Sequence, residues 1–374
     1  METRLGNYIH EYSVRNKLDE DIPVYSVTNS QGFCKDYFGK EVASKNKTSY
    51  KIVPKGYFAY NPSRINVGSV DWQRNEERVI VSPLYNVFYV DSEINHQYLF
   101  YFLKSNFALQ NIKAVATGSV RDNLKFEMLK EFQIKLLPLE EQNEIVEKLD
   151  LITKIIEEYK TELYKYDELI KARFIEMFGS IHNSKIFVYY PLKEITTVCS
   201  GGTPNRDNKA YWESGTIPWV KTTELKNNRL THVEEFITEL GLEESSAKLV
   251  PSDTVLVAMY GQGKTRGMTG YLEIEATTNQ ACACILPTNK MNMIYLWKYF
   301  ELSYDKLREL AKGGNQPNLN CTMIRDFNIL VPPIELQNQY ADFVRQVDKS
   351  REDIKKALEK TQQLYDSLMQ EYFG

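Results

Sequence analysis

The sequence predicts an α+β protein of two globular modules, each followed by a long helix, with the helices paired in an intramolecular antiparallel coiled coil and the modules at its opposite ends. Three observations carry this. A long stretch of sequence recurs 195 residues later without a gap. Two segments space their apolar residues in alternating steps of four and three, the pattern of a coiled-coil seam. Most glycines and prolines fall outside those segments, among short runs of β-forming residues.

The repeat comes first. Gly118, Asn123, Leu124, Met128, Phe132, Ile134, Pro138, Glu140, Gln142, Asn143, Leu163, Lys165, Leu169, Glu176, Phe178 and Gly179 recur as Gly313, Asn318, Leu319, Met323, Phe327, Ile329, Pro333, Glu335, Gln337, Asn338, Leu358, Lys360, Leu364, Glu371, Phe373 and Gly374. Chance likeness of helices does not explain matches in the loop and in the Pro-Xaa-Glu-Xaa-Gln-Asn stretch, so the chain reads as a duplication. It divides into a module at 1–136, a helix at 137–179, a second module at 180–331 and a second helix at 332–374.

The modules combine β-like runs, Arg78–Val81 and Thr254–Val257, with helical runs, Gln97–Ser105 and Ile294–Glu309. In the first helix the apolar seam is Ile145, Leu149, Ile152, Ile156, Tyr159, Leu163, Tyr166 and Ile170. The second seam is Tyr340, Val344, Val347, Arg351, Ile354, Leu358, Thr361 and Tyr365, interrupted by Arg351 and Thr361, which fit a register-setting role. Each helix begins after a proline and stops at Phe-Gly. About 40 residues make a rod of roughly 60 Å. A module of about 150 residues is only about 40 Å wide, too narrow to bridge that rod for parallel pairing. Antiparallel pairing needs no such bridge, and predicts a rigid dumbbell with pseudo-twofold symmetry.

Composition narrows the function classes. The 374 residues exceed one compact core, and 43% hydrophobic with 26% charged residues describes a folded, soluble protein. No apolar run is long enough to span a bilayer, and Met1–Asn7 lacks the apolar stretch of a signal peptide, which points to the cytoplasm and away from a membrane. The scattered cysteines Cys34, Cys199, Cys282, Cys284 and Cys321 suit reduced thiols, with Cys282 and Cys284 pointing the same way from one strand. None of the four histidines has metal-ligand spacing with a cysteine, so no metal site is expected. The helical stretches 138–178 and 333–373 carry −5 and −2 of the net −4, leaving +3 on the rest. The acidity belongs to the helices, and the mildly basic remainder permits a nucleic-acid partner without demonstrating one.

Two stretches imitate catalytic motifs. Ala258–Thr265 fits a relaxed phosphate-loop pattern, but Arg266-Gly-Met-Thr-Gly-Tyr follows where a helix is required. Asn61-Pro-Ser-Arg64 resembles the start of an adenine-methyltransferase motif with its third and fourth positions wrong. No Ser-His-Asp arrangement, paired carboxylates or metal cluster stands out, so no catalysis is expected of the chain.

The order module, helix, module, helix resembles the specificity subunits of type I restriction–modification systems. The resemblance rests on Leu136-Leu-Pro-Leu-Glu-Glu-Gln142, on Gly313-Gly-Asn-Gln-Pro-Asn-Leu319 followed by Ile329–Gln337, on Gly201-Gly-Thr-Pro204 with Ile217–Val220 and Thr278–Ala281, and on Tyr57–Arg64 with Val81–Tyr85. The first junction, Gly118-Ser-Val-Arg-Asp-Asn123, departs from the pattern by lacking the Gln-Pro pair. The resemblance implies two target-recognition domains on double-stranded DNA, each reading one half-site of a bipartite sequence. The helices would set an unread spacer and dock two modification subunits. Those subunits would carry S-adenosylmethionine and methylate adenine at N6. Restriction subunits, which use ATP, would join for cleavage, and no cofactor is expected in this chain. The alternative is a coiled-coil scaffold whose modules bind proteins.

Base reading requires side chains that donate and accept hydrogen bonds. In the first module the candidates are Ser26, Thr28 and Asn29, with Tyr60, Asn61, Ser63 and Arg64 where the resemblance places the DNA-facing surface. In the second they are Lys221, Thr222 and Thr223, which align with Ser26–Thr28, and Gln262, Lys264, Thr265 and Arg266 in the Gly-rich loop. A plain turn or solvated loop is the competing reading of each. Arg74, Arg78, Arg121 and Arg206 are candidate phosphate contacts, whereas Trp72, Trp212 and Trp219 read as packing residues. Ile145, Leu149, Ile152, Ile156, Leu163, Val344, Val347, Ile354 and Leu358 form the expected helix interface.

Overall fold

The duplication is repeated in the sheet order of the two modules. The computed structural model describes residues 2–35, 47–116, 123–261, 263–311 and 318–374. Contacts group them into one unit of Met1–Lys160 with Lys355–Gly374 and another of Thr161–Ile354. The first unit holds an antiparallel sheet in the order Ile9–Glu11, Asn86–Val90, Phe58–Tyr60, Val70–Trp72. The second repeats that order with Val198–Ser200, Cys282–Ile285, Val255–Ala258 and Thr269–Leu272, then adds Asn228–Leu230 at the edge. Cys282 and Cys284 do share a face: both enter a different apolar cluster from the alternating Ala283 and Ile285.

Each module is closed by its own ends. Glu2–Arg4 pairs with Gln133–Lys135, and Val188–Pro191 pairs with Asn328–Val331. The chain then enters its long helix, Leu139–Phe178 in the first repeat and Ile334–Phe373 in the second, 40 residues each. Gly179, at φ 78°, ends the first helix and donates its N–H to the Ile175 carbonyl at 2.8 Å, a backbone conformation that favours glycine.

The Pro-Xaa-Glu-Xaa-Gln-Asn repeat has a structural reason. Asn95 caps the helix His96–Lys104, accepting from the N–H groups of Gln97 and Tyr98 at 2.8 and 3.1 Å. The Asn95 backbone N–H donates to Gln142 Oε1 at 2.8 Å, and Gln142 Nε2 donates to the Glu93 and Leu137 carbonyls at 2.9 and 2.8 Å. Asn95 Nδ2 donates to Asn143 Oδ1 at 2.7 Å. In the second repeat Asn292 caps Met293–Leu302 and donates to Gln337 Oε1 at 2.9 Å and to Asn338 Oδ1 at 2.8 Å, while Gln337 Nε2 donates to the Pro332 carbonyl at 2.7 Å. Gln142 and Gln337 are buried, where an unpaired amide is costly.

The long helices pair within each unit. In the first unit Ile145, Val146 and Leu149 near the start of one helix share a core with Met369 and Phe373 at the end of the other. In the second unit Ile170, Phe174 and Phe178 share a core with Tyr340, Ala341 and Val344. A start against an end in both units is antiparallel pairing, as expected. Phe373 packs on Tyr98 at 5.1 Å between ring centroids, and its repeat mate Phe178 packs on Tyr295 at 5.2 Å. The units therefore differ from the four consecutive segments read from the sequence: each takes part of both long helices, because those parts complete its core.

Of the expected interface residues, Ile145, Leu149, Ile152, Ile156, Val344 and Val347 are buried. Leu163, Ile354 and Leu358 are half-buried, since two helices alone cover each seam position incompletely. Both interruptions find partners, although Arg351 Nε is buried without one among the described residues. Arg351 pairs with Asp167 at 3.0 Å and with Asp348 at 3.8 Å, and the Thr361 hydroxyl donates to the Ala357 carbonyl at 2.8 Å.

Replacing Gln337 by Ala strands the Asn292 N–H and the Pro332 carbonyl and is expected to cost about 1–3 kcal/mol. Urea unfolding of the full chain measures this; a loss below about 0.3 kcal/mol would show that the side chain does not hold the junction.

Candidate nucleic-acid interface

The two repeats present a loop at the same place on the same sheet. In the first, the connection from Phe58–Tyr60 to Val70–Trp72 is the turn Asn61–Ser69. Asn61 Oδ1 accepts from the Ser63 N–H at 3.1 Å and the Ser63 hydroxyl at 2.9 Å, and the Arg64 N–H donates to the Asn61 carbonyl at 3.0 Å. The segment is a self-bonded turn that leaves Ser63 and Arg64 exposed. Asn29 joins it: a Cβ on Gly68 would come within 2.6 Å of Asn29 Oδ1. Lys104 donates to the Asn29 carbonyl at 2.8 Å and to Oδ1 at 3.3 Å. Asn29 thus lies against the Asn61–Ser69 turn and is held there by the half-buried Lys104.

Three first-module candidates need correction or restriction. Tyr60 is not a surface residue; it is fully buried, donates to the Leu124 carbonyl at 3.2 Å, and burial pushes its hydroxyl pKa up. Alternation along the strand turns it into the core. Thr28 is buried and accepts the Gln31 N–H at 3.1 Å, closing the hairpin to Gly32–Cys34. Ser26, at the other end of that hairpin, is half-buried and its carbonyl accepts the Cys34 thiol at 3.8 Å.

In the second module the equivalent loop runs between Val255–Ala258 and Thr269–Leu272. These strands pair antiparallel, so the loop leads into a strand and lacks the helix that a phosphate loop requires. The helix Tyr304–Leu310 buttresses it by its backbone. The Tyr304 hydroxyl donates to the Lys264 carbonyl at 2.8 Å and Arg308 donates to the Arg266 carbonyl at 2.9 Å. Lys264 is exposed, while Thr265 and Arg266 are half-buried. Gln262 lies outside the described residues.

Lys221, Thr222 and Thr223 belong to a separate group. Thr222 is buried and Thr223 exposed. Lys221 pairs with Glu234 at 2.7 Å and Glu235 at 2.9 Å, and hydrogen bonds to those carboxylates, Glu234 foremost, hold its pKa above the usual lysine range. Glu235 also pairs with Arg206, whose guanidinium lies 3.7 Å from the Trp212 ring centroid and 4.6 Å from that of Trp219. Gly201 and Gly202 let the Arg206 loop start close to the sheet: a Cβ on Gly201 would come within 2.1 Å of the Thr278 carbonyl oxygen.

The remaining arginines are engaged. Arg74 pairs with Asp71 at 2.7 Å and stacks 4.4 Å from the Trp72 ring centroid, and Arg78 pairs with Glu20. Arg121 lies outside the described residues. Sequence reasoning missed Lys104, Glu234 and Glu235, because nothing local marks an acid or lysine that closes a contact with a distant loop.

Known proteins can now be compared with this geometry. The family model of the type I restriction modification DNA specificity domain matches residues 6–165 and again 185–364, one match per repeat. The chain belongs to this family. The specificity subunit of the EcoR124I/EcoR124II type I restriction enzyme of Escherichia coli is 25% identical over 228 residues, which cover 58% of this chain and 54% of that protein. The chain therefore spans about half the length of that relative. The MjaIX specificity subunit of Methanocaldococcus jannaschii is 24% identical over 321 residues, covering 79% of this chain and 72% of the relative. The S subunit of a type I system from M. genitalium matches with a TM-score of 0.60 at 15% identity, covering 100% of this chain and 96% of that one. A chain from a study of type I system complex assembly matches with a TM-score of 0.58 at 17% identity, covering 100% and 97%. At these identities the structural likeness is one of fold.

Tyr304→Phe removes the hydroxyl that holds the Lys264 carbonyl, a bond worth about 0.5–1.5 kcal/mol. Amide hydrogen exchange in the segment Thr265–Met268 is expected to quicken severalfold, with the sheet unaffected; unchanged exchange would show that the helix does not hold the loop.

Proposed function

We propose that this chain is the DNA sequence-specificity subunit of a type I restriction–modification complex, with one half-site of a bipartite sequence read by each module. The observation that carries the reading is the double match of one DNA-specificity family model, once on each repeat. In both repeats a polar loop stands at the same sheet position, Asn61–Ser69 and 259–268. Asn29, Asn61, Ser63 and Arg64 are the contacts expected from the first module. Lys221, Thr223, Lys264, Thr265 and Arg266 are those expected from the second. Their side chains suit hydrogen bonding to base edges and phosphates.

The chain recognises and its partners catalyse. Two modification subunits dock on the long helices and use S-adenosylmethionine to methylate adenine N6 in double-stranded DNA. Restriction subunits, fuelled by ATP, add cleavage. Exposed Leu151, Tyr164, Leu169 and Leu364 on the helices support such docking. No described helix is long and apolar enough to cross a membrane, in keeping with a complex that works on DNA in the cytoplasm.

Co-expression with a modification subunit, followed by mapping of methylated adenines, tests the proposal. A motif of two short half-sites with an unread spacer is expected. Deleting one heptad from both long helices should shorten the spacer or abolish activity, and an unchanged spacer would refute the measuring role. Absence of salt-sensitive DNA binding, with or without the modification subunit, would leave a coiled-coil scaffold for protein partners instead.

A further inference from the structure

Arg206 is an exposed cation of the second module with several side-chain contacts. Its side chain is 49% exposed, and three groups fix it in place. Trp212 and Trp219 stand at right angles with centroids 5.0 Å apart, and the guanidinium carbon lies 3.7 and 4.6 Å from those centroids, in cation–π contact with both. Glu235 Oε2 accepts from Arg206 Nη1, while Glu235 Oε1 takes the Lys221 ammonium at 2.9 Å. The rings are themselves tied to the loop that bears the arginine: Trp212 Nε1 donates to the Asn205 carbonyl at 3.1 Å and Trp219 Nε1 to the Gly202 carbonyl at 3.0 Å. The ring contacts and the carboxylate restrain a planar guanidinium that stays about half exposed.

The surroundings decide what such a fork binds. Arg206 and Lys221 carry two positive charges; Glu234 and Glu235 return two negative ones. A phosphate brought to this cluster meets no net attraction and two nearby carboxylates. The guanine edge, with neutral acceptors O6 and N7 side by side, has no such repulsion and matches the two-pronged donor geometry. A carboxylate that holds one side of an arginine also lowers its freedom, so less is lost when it binds.

We infer that Arg206 is a guanine-reading residue of the second module, positioned by Glu235, Trp212 and Trp219, and not a phosphate contact. This rests on the proposed DNA-specificity function and sharpens it to one base pair.

The test is selection from a random duplex library by the full chain assembled with its modification subunits, comparing wild type with Arg206→Ala, Arg206→Lys and Glu235→Gln. Both Arg206 variants should lose about tenfold to a hundredfold of the preference for one G·C pair in a single half-site, the other half-site being unchanged. Lysine keeps the charge and stem but lacks the planar fork, so its failure to rescue separates base reading from phosphate binding and from loss of fold. Glu235→Gln should lose a smaller factor at the same pair. An Arg206→Lys variant that selects the wild-type sequence overturns the assignment. So does an Arg206→Ala variant that weakens all sequences equally with a shallower salt dependence. A wild type that selects no motif overturns the specificity function itself, and the assignment with it.

Discussion

Gln142 and Gln337 sit where a module, its first long-helix turn and the cap of its buried helix converge, and each side chain is donor and acceptor to backbone groups there. This bonding ties the start of each long helix to its module, because a buried amide left without partners is costly. The aromatic contacts build on it. Phe373 lies on Tyr98 and Phe178 on Tyr295, and both tyrosines belong to the helices that the bracketed asparagines cap. The core of each unit is complete only when one helix begins and the other ends beside its module.

The charge distribution follows a different logic from that of proteins that hold DNA by bulk attraction. The chain is acidic overall, and several half-buried or exposed cations of the modules are paired: Arg74 with Asp71, Arg78 with Glu20, Lys221 with Glu234 and Glu235. Such pairs contribute little to stability at the surface. Under the proposed function, such pairing gives a modest field towards phosphate and leaves discrimination to side chains at base edges.

The duplication, the helix seams and the Phe-Gly stops were legible in the sequence, since each depends on spacing along the chain. So was the failure of the 258–265 stretch as a phosphate loop, because Thr269-Gly-Tyr-Leu272 already reads as a strand and pairs as one. The contents of the interface were less legible. Tyr60 looked available beside Asn61, but strand alternation placed it in the core. Arg351 looked like a defect in an apolar seam, and the cross-helix Asp167 that accommodates it could be found only once the helices were placed together. Arg206 and Lys221 looked like free cations because Glu235 lies on another strand; Trp212, read as packing, does pack beside Trp219 and also carries the arginine.

The central claim is that the two repeats are equivalent readers on equivalent mounts. The paired closing strands mark where one can be exchanged for the other: residues 188–331 replaced by a second copy of 2–135, with both junction glutamines retained. Mapping the adenines methylated by this chimera with its modification subunits tests the claim most directly. Equivalence predicts a motif whose two half-sites have the same sequence, that of the first module, with the wild-type spacer. Retention of the wild-type second half-site in the folded chimera would contradict it.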